Sequence, residues 1–357
     1  MKSAALRLVE NDPPTILSVA TAVPRYRLDQ AEVAEAAARV FDRQGSEIER
    51  LMPVFDNAGV TTRYSSVPMD WYFQRHGWRE RNQLYVENAV ELLGNAASEA
   101  LAEASRRPAD IAAVVVASTT GISTPSLDAL LLNRMNLSPT ILRLPIFGLG
   151  CAGGVIGLSH AAALARTLPE GDVLFLAVEL CSVTFRRSDM SKSNIIGAAL
   201  FGDGAAATVI GRPGSSGLRL GPSGMHTWPD SLRVMGWDVE DDGLGVLFSR
   251  DIPTLVRAEM RPAADAFLVR CGLSCRELAG FICHPGGMKV LDALEQAFDL
   301  PPGAMLEARD VLRDYGNMSA VTVLFVLQRM MQRGLAGRHL MSALGPGFSA
   351  GFQIVEA

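Results

Sequence analysis

The chain carries one pattern twice, 166 residues apart, and this constrains its fold more than any other feature. IAAVVVAS (111–118) and LAGFICH (278–284) are both short apolar runs ending on a polar residue. GDVLFLA (171–177) falls on GRHLMSA (337–343) at the same offset, and VIGL (155–158) on VTVL (321–324). The offset holds without gaps from 111 to 177, which implies duplication of a strand–helix–helix–strand unit. A duplicated unit puts matching positions in matching seats.

The surrounding pattern fits. TILSVATAVP (15–24), AAVVVAS (112–118) and DVLFLAVEL (172–180) have the β-branched, apolar character of buried strands. GDGAAATVIG (202–211) is a turn running into a strand, and residues 83–105, 127–137 and 151 to about 165 have helical spacing. RPGSSG (212–217) is the best linker and divides the chain into halves, 1–213 and 214–357. Alternating strands and helices predict mainly parallel sheets covered by helices, with chemistry beyond the C-terminal strand ends. Ser118 and His284 stand at such ends. Cys151 and Asn317, each 33 residues further on, start the following helices. The duplication therefore predicts that Cys151, His284 and Asn317 converge on one crevice between related halves.

Those residue types suit carbonyl chemistry. Cys151 lies among glycines in FGLGCAGGVIGL (147–158), where close approach of a ligand is expected. A helix starting there would aim N–H groups and its positive end at the sulfur, favouring thiolate. His284 in FICHPGG can take the thiol proton and donate to an oxyanion. Asn317 in YGNMSA is a neutral donor that stabilises an enolate without taking up its proton. A Cys/His/Asn set also serves thiol proteases, where Asn orients His. The duplication disfavours that reading by seating Asn317 opposite the substrate.

Composition narrows the class. A 357-residue chain with 48% hydrophobic residues builds a large core. Net charge is −5 without a basic, aromatic-laced stripe, so nucleic acid is not expected as a partner. Five scattered cysteines argue against a disulfide framework. Cys271, Cys275 and Cys283 read as buried thiols rather than a zinc site, lacking CxxC pairs. MKSAALRLVENDPP has no long apolar core of a secretion signal, and the longest apolar run, AVTVLFVL (320–327), is too short for a membrane span. A cytoplasmic location is expected.

Five motifs in order, GLGCAGG, ALFGDGAA (199–206), CHPGG, YGNMSA and ALGPGFSAG (343–351), resemble the type III polyketide synthases, the chalcone and stilbene synthase group of the thiolase superfamily. The bacterial members that make alkylpyrones and alkylresorcinols look most similar. The resemblance implies an α/β, thiolase-like, five-layered αβαβα fold of two duplicated halves, assembled as a homodimer. It implies that Cys151 takes an acyl starter from coenzyme A. His284 and Asn317 would then bind malonyl-CoA and hold the enolate left when carbon dioxide departs. Acyl-CoA and malonyl-CoA are the implied partners, an acyl carrier protein is a possible further one, and no metal or redox cofactor is implied.

The resemblance places further residues in the substrate site: Phe201 as a gatekeeper ring, Thr184 in the pocket, Gly345, Pro346 and Gly347 as a cavity-shaping loop, and Arg50 on coenzyme A. Departures stand beside them. Val246 in GLGVLFSRDIP (243–253) replaces a second gatekeeper phenylalanine, which is expected to widen the cavity for an aliphatic starter, with Phe248 two residues away. Thr124 replaces a methionine that plant members insert into the neighbouring subunit. Pro53 and Asn57 occupy places where plant members have basic residues. Thr119, Glu179 and Ser319 match a hydrogen-bonded trio that stilbene-type members use for thioester hydrolysis before aldol closure. Asp203 reads as a turn residue. The expected reaction is repeated decarboxylative condensation of malonyl-CoA onto a fatty acyl-CoA, ending in an alkylpyrone or alkylresorcinol. The competing expectations are a single condensation, as in 3-oxoacyl-carrier-protein synthase III, and a non-catalytic acyl-binding scaffold.

Overall fold

The computed structural model describes residues 12–41 and 50–357. The reading of the extreme N-terminus therefore falls largely outside the described residues. Thirteen strands occur among the described residues: β1 (Thr15–Ala22), β2 (Tyr26–Asp29), β3 (Thr62–Ser65), β4 (Ile111–Ala117), β5 (Leu142–Ile146), β6 (Asp172–Leu180), β7 (Asp203–Gly211), β8 (Leu218–Thr227), β9 (Met235–Glu240), β10 (Gly243–Phe248), β11 (Gly280–Cys283), β12 (Arg338–Gly345) and β13 (Ser349–Glu356). Nine of them form one array in the order β11-β12-β13-β8-β1-β7-β6-β4-β5. β2–β3 and β9–β10 are separate two-stranded ribbons.

The array is one motif built twice. β4 and β6 run parallel, β6 and β7 antiparallel, and β7 and β1 antiparallel. β11, β12, β13 and β8 repeat those relations in the same order. Within the array, the halves meet where β1 pairs with β8 at Thr15↔Arg219 and Ile16↔Leu218. β6 and β12 begin 166 residues apart, as the sequence offset requires. The copies differ at β5. Its counterpart 166 residues on lies inside the helix Leu306–Tyr315. β5 has the sequence LRLPI, and its proline is tolerated because β5 is an edge strand.

Helices make the five layers. Trp78–Glu103 and Leu127–Met135 cover the outer face of the first sheet half. Ile252–Arg270 covers the second half, with Met288–Ala297 packed on it. Between the halves lie Gly153–Thr167 and Thr322–Gln332, the duplicated helices, which touch strands of both. Strand alternation divides the core accordingly. Ala113, Val115, Ala117, Val173, Phe175 and Ala177 join the cluster around the central helices. Val114, Val116, Leu174, Leu176 and Val178 join the cluster under the outer helices. Apolar side chains on both faces are what a strand covered on both sides needs.

Candidate active site

Cys151 sits in a single 3-10 turn, Gly150–Ala152, that leads into the central helix Gly153–Thr167. Asn317 stands just ahead of the matching turn, Ser319–Val321, which leads into Thr322–Gln332. The two turns touch. Gly154 permits this: a Cβ there would lie 2.1 Å from the Ala320 carbonyl oxygen and 2.7 Å from a Val323 methyl. At Gly154, the space expected for a ligand is filled by the duplicate helix. His284 follows β11 directly, and its N–H donates to the Ser342 carbonyl of β12 (2.9 Å).

Cys151, His284 and Asn317 line one cavity of about 500 Å3. Its inner walls are apolar, with Leu51, Val54, Ile195, Ile252, Met260 and Leu294 among them. Arg50, Lys192, Arg250 and Lys289 also line it, all exposed, and none forms an ion pair among the described residues. The lining contains no carboxylate among the described residues. A chain of net charge −5 thus presents a purely cationic set at this opening. Sequence reasoning retained Arg50 and missed the other three, which come from distant segments. Pro53 and Asn57 line the cavity as well.

The local chemistry differs from the expected thiolate. Burial pushes the Cys151 thiol up to about 12, further than the Ser319 and Asn317 hydrogen bonds pull it back, and nearby Glu179 adds to the rise. Burial pulls His284 down to about 3. Burial therefore disfavours each ion alone, the thiolate at Cys151 and the imidazolium at His284. Both ring nitrogens of His284 lack a hydrogen-bond partner among the described residues, although the residue is 5% exposed. A buried, unpartnered imidazole facing a cavity is suited to bonding a ligand.

Asn317 is fixed more tightly. Its Oδ1 accepts the Ser319 N–H (2.8 Å), which directs Nδ2 to the opposite side, 3.3 Å from the Gly286 carbonyl. The amide therefore starts the turn, as a capping Asn does, and also presents a donor on the cavity side. Glu179 is fully buried and raised to about 7 by desolvation, against hydrogen bonds from Thr119, Thr120, Ser319 and Ala320. Ser319 Oγ donates to Glu179 Oε1 (3.2 Å). Thr119 reaches Glu179 Oε2 only through its backbone N–H (3.0 Å), and its hydroxyl accepts the Gly150 N–H instead (3.0 Å). The trio thus does not close through its three side chains.

A second cavity, of about 70 Å3, lies beside Phe201, Val246, Thr184 and Trp237. Val246 does not open this region. Trp237 pairs with it directly across the β9–β10 ribbon, with its ring centroid 6.4 Å from that of Phe201. Phe248 stands 5.6 Å from Phe201 on the side of the larger cavity. Trp237 and Phe248 supply aromatic rings on either side of Val246. Gly345 packs on the Leu149 carbonyl and the Ala152 backbone, and Pro346 against Gly150. The loop 345–347 thus backs the Cys151 turn, while Ser342, Ala343 and Leu344 form the nearby cavity wall. Thr184 donates to the Cys181 carbonyl (2.7 Å). Thr124 is exposed and outside both cavities. Asp203 is buried at the start of β7, not in a turn, and accepts hydrogen bonds from Ser66 N, Ser182 N and Ser182 Oγ.

Residues 2–213 match the family model for chalcone and stilbene synthases, N-terminal domain, and residues 223–354 match the C-terminal domain. A putative chalcone synthase of Bacillus subtilis (strain 168) is 40% identical over 351 residues, covering 94% of this chain and 96% of the relative. An alpha-pyrone synthesis polyketide synthase-like protein of Mycobacterium tuberculosis (strain ATCC 25618 / H37Rv) is 30% identical, covering 94% of this chain and 90% of its own. The crystal structure of 1,3,6,8-tetrahydroxynaphthalene synthase from Streptomyces coelicolor superimposes with a TM-score of 0.91 at 28% identity, over 96% of this chain and 98% of that one.

Proposed function

The chain belongs to the chalcone and stilbene synthase family, the type III polyketide synthases, and we propose that within it the protein extends a fatty acyl-CoA and closes the product as an alkylpyrone. Members of this family catalyse decarboxylative condensation with coenzyme A thioesters and need no further cofactor. The observation that carries the finer reading is the junction of Cys151, His284 and Asn317 with a large, apolar-walled, cation-rimmed cavity.

Each residue has a role its surroundings support. The Cys151 sulfur attacks the starter carbonyl as His284 takes the thiol proton, and that proton leaves on the departing coenzyme A sulfur. The malonyl thioester oxygen then lies between His284 and Asn317 Nδ2. Carbon dioxide departs, its bonding pair forms the enolate, and the enolate carbon attacks the acyl–Cys151 carbonyl, releasing the thiolate. The 3-oxoacyl-CoA so formed returns to Cys151 for the next round. The cations Arg50, Lys192, Arg250 and Lys289 suit the coenzyme A phosphates, or the phosphate of a carrier-borne pantetheine.

The pyrone reading draws on Thr119. A lactone closes when an enol oxygen of the chain attacks the thioester carbonyl and expels the thiol, without prior hydrolysis. The Thr119 hydroxyl is held by Gly150 rather than by Glu179, so the hydrolytic trio is open. The alpha-pyrone label of the mycobacterial relative agrees. A second copy of the chain is the proposed cover for edge strand β5, where Leu142 and Leu144 are exposed beside Phe147 (62% exposed).

Mass spectrometry of products from purified enzyme, malonyl-CoA and a graded set of acyl-CoA starters tests this, with Cys151→Ala as control. Triketide pyrones from long-chain starters, absent in the variant, are expected. A single-condensation product, or resorcinols, would overturn the extension or the ring assignment respectively. Acyl-carrier-protein starters run in parallel separate the two sources of phosphate. Light scattering of wild type and Leu144→Asp tests the dimer.

A further inference from the structure

A buried cation stands behind the site without a carboxylate hydrogen-bond partner among the described residues. Arg63, on β3, is 4% exposed. Its guanidinium donates to the carbonyls of Ala198 (2.7 Å), Ala199 (2.6 Å) and Phe201 (2.8 Å), and to Gln30 Oε1. Those carbonyls end the helix Lys192–Leu200. Residues 200–202 in turn grip Asn317. The Asn317 N–H donates to the Leu200 carbonyl (2.8 Å), and the Asn317 carbonyl accepts the Gly202 N–H (3.1 Å). The crossing is tight, since a Cβ on Gly316 would lie 2.7 Å from the Leu200 oxygen.

The neighbours of Arg63 hold the other side of the same crossing. Thr61 N–H donates to the Arg313 carbonyl (2.7 Å), and Thr62 Oγ1 to the Asp314 carbonyl (2.7 Å). Residues 61–63 therefore clamp both segments that meet at Asn317, one from each half of the chain. Gln30 braces the clamp: its Nε2 donates to Phe55 O (2.9 Å) and Ala199 O (3.1 Å).

We propose that Arg63, braced by Gln30, is a positioning residue that sets the Asn317 amide for enolate stabilisation, acting through the Leu200–Gly202 backbone. A planar fork can satisfy three carbonyls and an amide oxygen at once, which a lysine ammonium on a single stem cannot. The positive charge also matches the carbonyl end of the helix. This inference rests on the role given to Asn317 above.

The test compares Arg63→Lys, Arg63→Met and Gln30→Ala in the purified full-length enzyme. Two rates are measured per active site, sites being counted by Cys151 alkylation: carbon dioxide release from malonyl-CoA alone, and acylation of Cys151 by the starter. Arg63→Met is expected to slow decarboxylation about 100-fold and Arg63→Lys or Gln30→Ala about 10-fold, with acylation within about threefold of wild type, the scale of ångström-level misplacement. Unchanged decarboxylation in folded Arg63→Met or Gln30→Ala would overturn the proposal. An equal fall in both rates per site would overturn it too, marking a purely structural role. Asn317→Ala separates the premise: if it decarboxylates normally, the assignment of Asn317 fails first and this inference with it.

Discussion

Gly154 and Ala320 are in contact at the starts of two central helices that hold matching places in the two repeated units, and no side chain fits between them. A Cβ on Gly154 would meet the Ala320 carbonyl oxygen at 2.1 Å. The obstacle is backbone, not a flexible side-chain tip, so the helices themselves must part. That contact sets the distance between the Cys151 turn and the Asn317 turn. Gly154→Ala is expected to cost about 3 kcal/mol. Thermal unfolding reads the loss, and any surviving folded enzyme should condense more slowly at unchanged Cys151 alkylation. A variant as stable and active as wild type would show that the helix starts tolerate separation.

Asn317 offers a donor because its oxygen is already used. Ser319 N–H holds Oδ1, so Nδ2 points the other way, toward the cavity side, with the Gly286 carbonyl at 3.3 Å. Asn317→Asp keeps the acceptor and replaces the donor with negative charge facing an enolate. Decarboxylation of malonyl-CoA should fall about 10²- to 10³-fold, the usual cost of one oxyanion donor, while Cys151 still acylates. Stopped acylation with normal decarboxylation would reverse the assignment.

The cationic mouth predicts a salt effect. Lys192, Arg250 and Lys289 are exposed and outside the reacting centre, so each contributes through charge alone. Glu at any one of them should raise KM for malonyl-CoA about three- to fivefold at low salt and leave kcat near wild type. The difference should shrink above ~0.15 M salt, as screening shortens the reach of exposed charges. A KM independent of salt would place the phosphates elsewhere.

How far the sequence could be read follows from what kind of contact each residue makes. The offset of 166 was visible because β4, β6 and the first turns of the central helices are buried, so both copies keep apolar pattern. β5 escaped because an edge strand carries little pattern and contains Pro145. Cys151, His284 and Asn317 were legible from strand ends and helix starts, positions that topology alone determines. The thiolate was not, since burial outweighs the helix end. Trp237 was missed because its partner Val246 lies across a ribbon turn, and cross-strand register is invisible without the turn. Arg63 was missed because its partners are carbonyls, which every residue possesses.

Burial of two titratable groups with opposite signs predicts opposing pH slopes. His284 binds its proton more weakly folded (about 3) than at its ordinary 6.5. Its contribution is present above pH 6.5 and is lost as pH falls toward 3, so stability rises with pH between them. Glu179 binds its proton more tightly folded (about 7) than at its ordinary 4.5. Its contribution is present below pH 4.5 and is lost as pH rises through 7. Between 4.5 and 6.5 the two cancel. Relative to wild type, His284→Gln should lose stability as pH rises through that window, and Glu179→Gln should gain it, each by about 1.4 kcal/mol per pH unit. Urea unfolding at pH 4.5, 5.5 and 6.5 reads both slopes. Parallel curves for the three proteins would remove both groups from the linkage.

Trp237 is expected to limit the room open to a growing chain. It stands opposite Val246, and its ring and that of Phe201 both border the 70 Å3 cavity, while Phe248 faces the larger space. The smaller cavity also touches Cys181 and Thr184, which lie on the segment following β6, the strand that carries Glu179. Removing the indole in Trp237→Gly should join that volume to the reaction cavity. Because the ring is only half-buried, the folding cost should stay near 1–2 kcal/mol, below that of a fully buried aromatic. Product distribution is the readout. The ratio of tetraketide to triketide should rise about tenfold, the effect of a 1.4 kcal/mol change in partition between extension and release. Trp237→Phe, which keeps a ring, should stay near wild type. Val246→Phe should not restrict the wild type further, since the wall is already closed. If Trp237→Gly makes the wild-type mixture, chain length is set by release rather than by space, and the aromatic wall has no part in it.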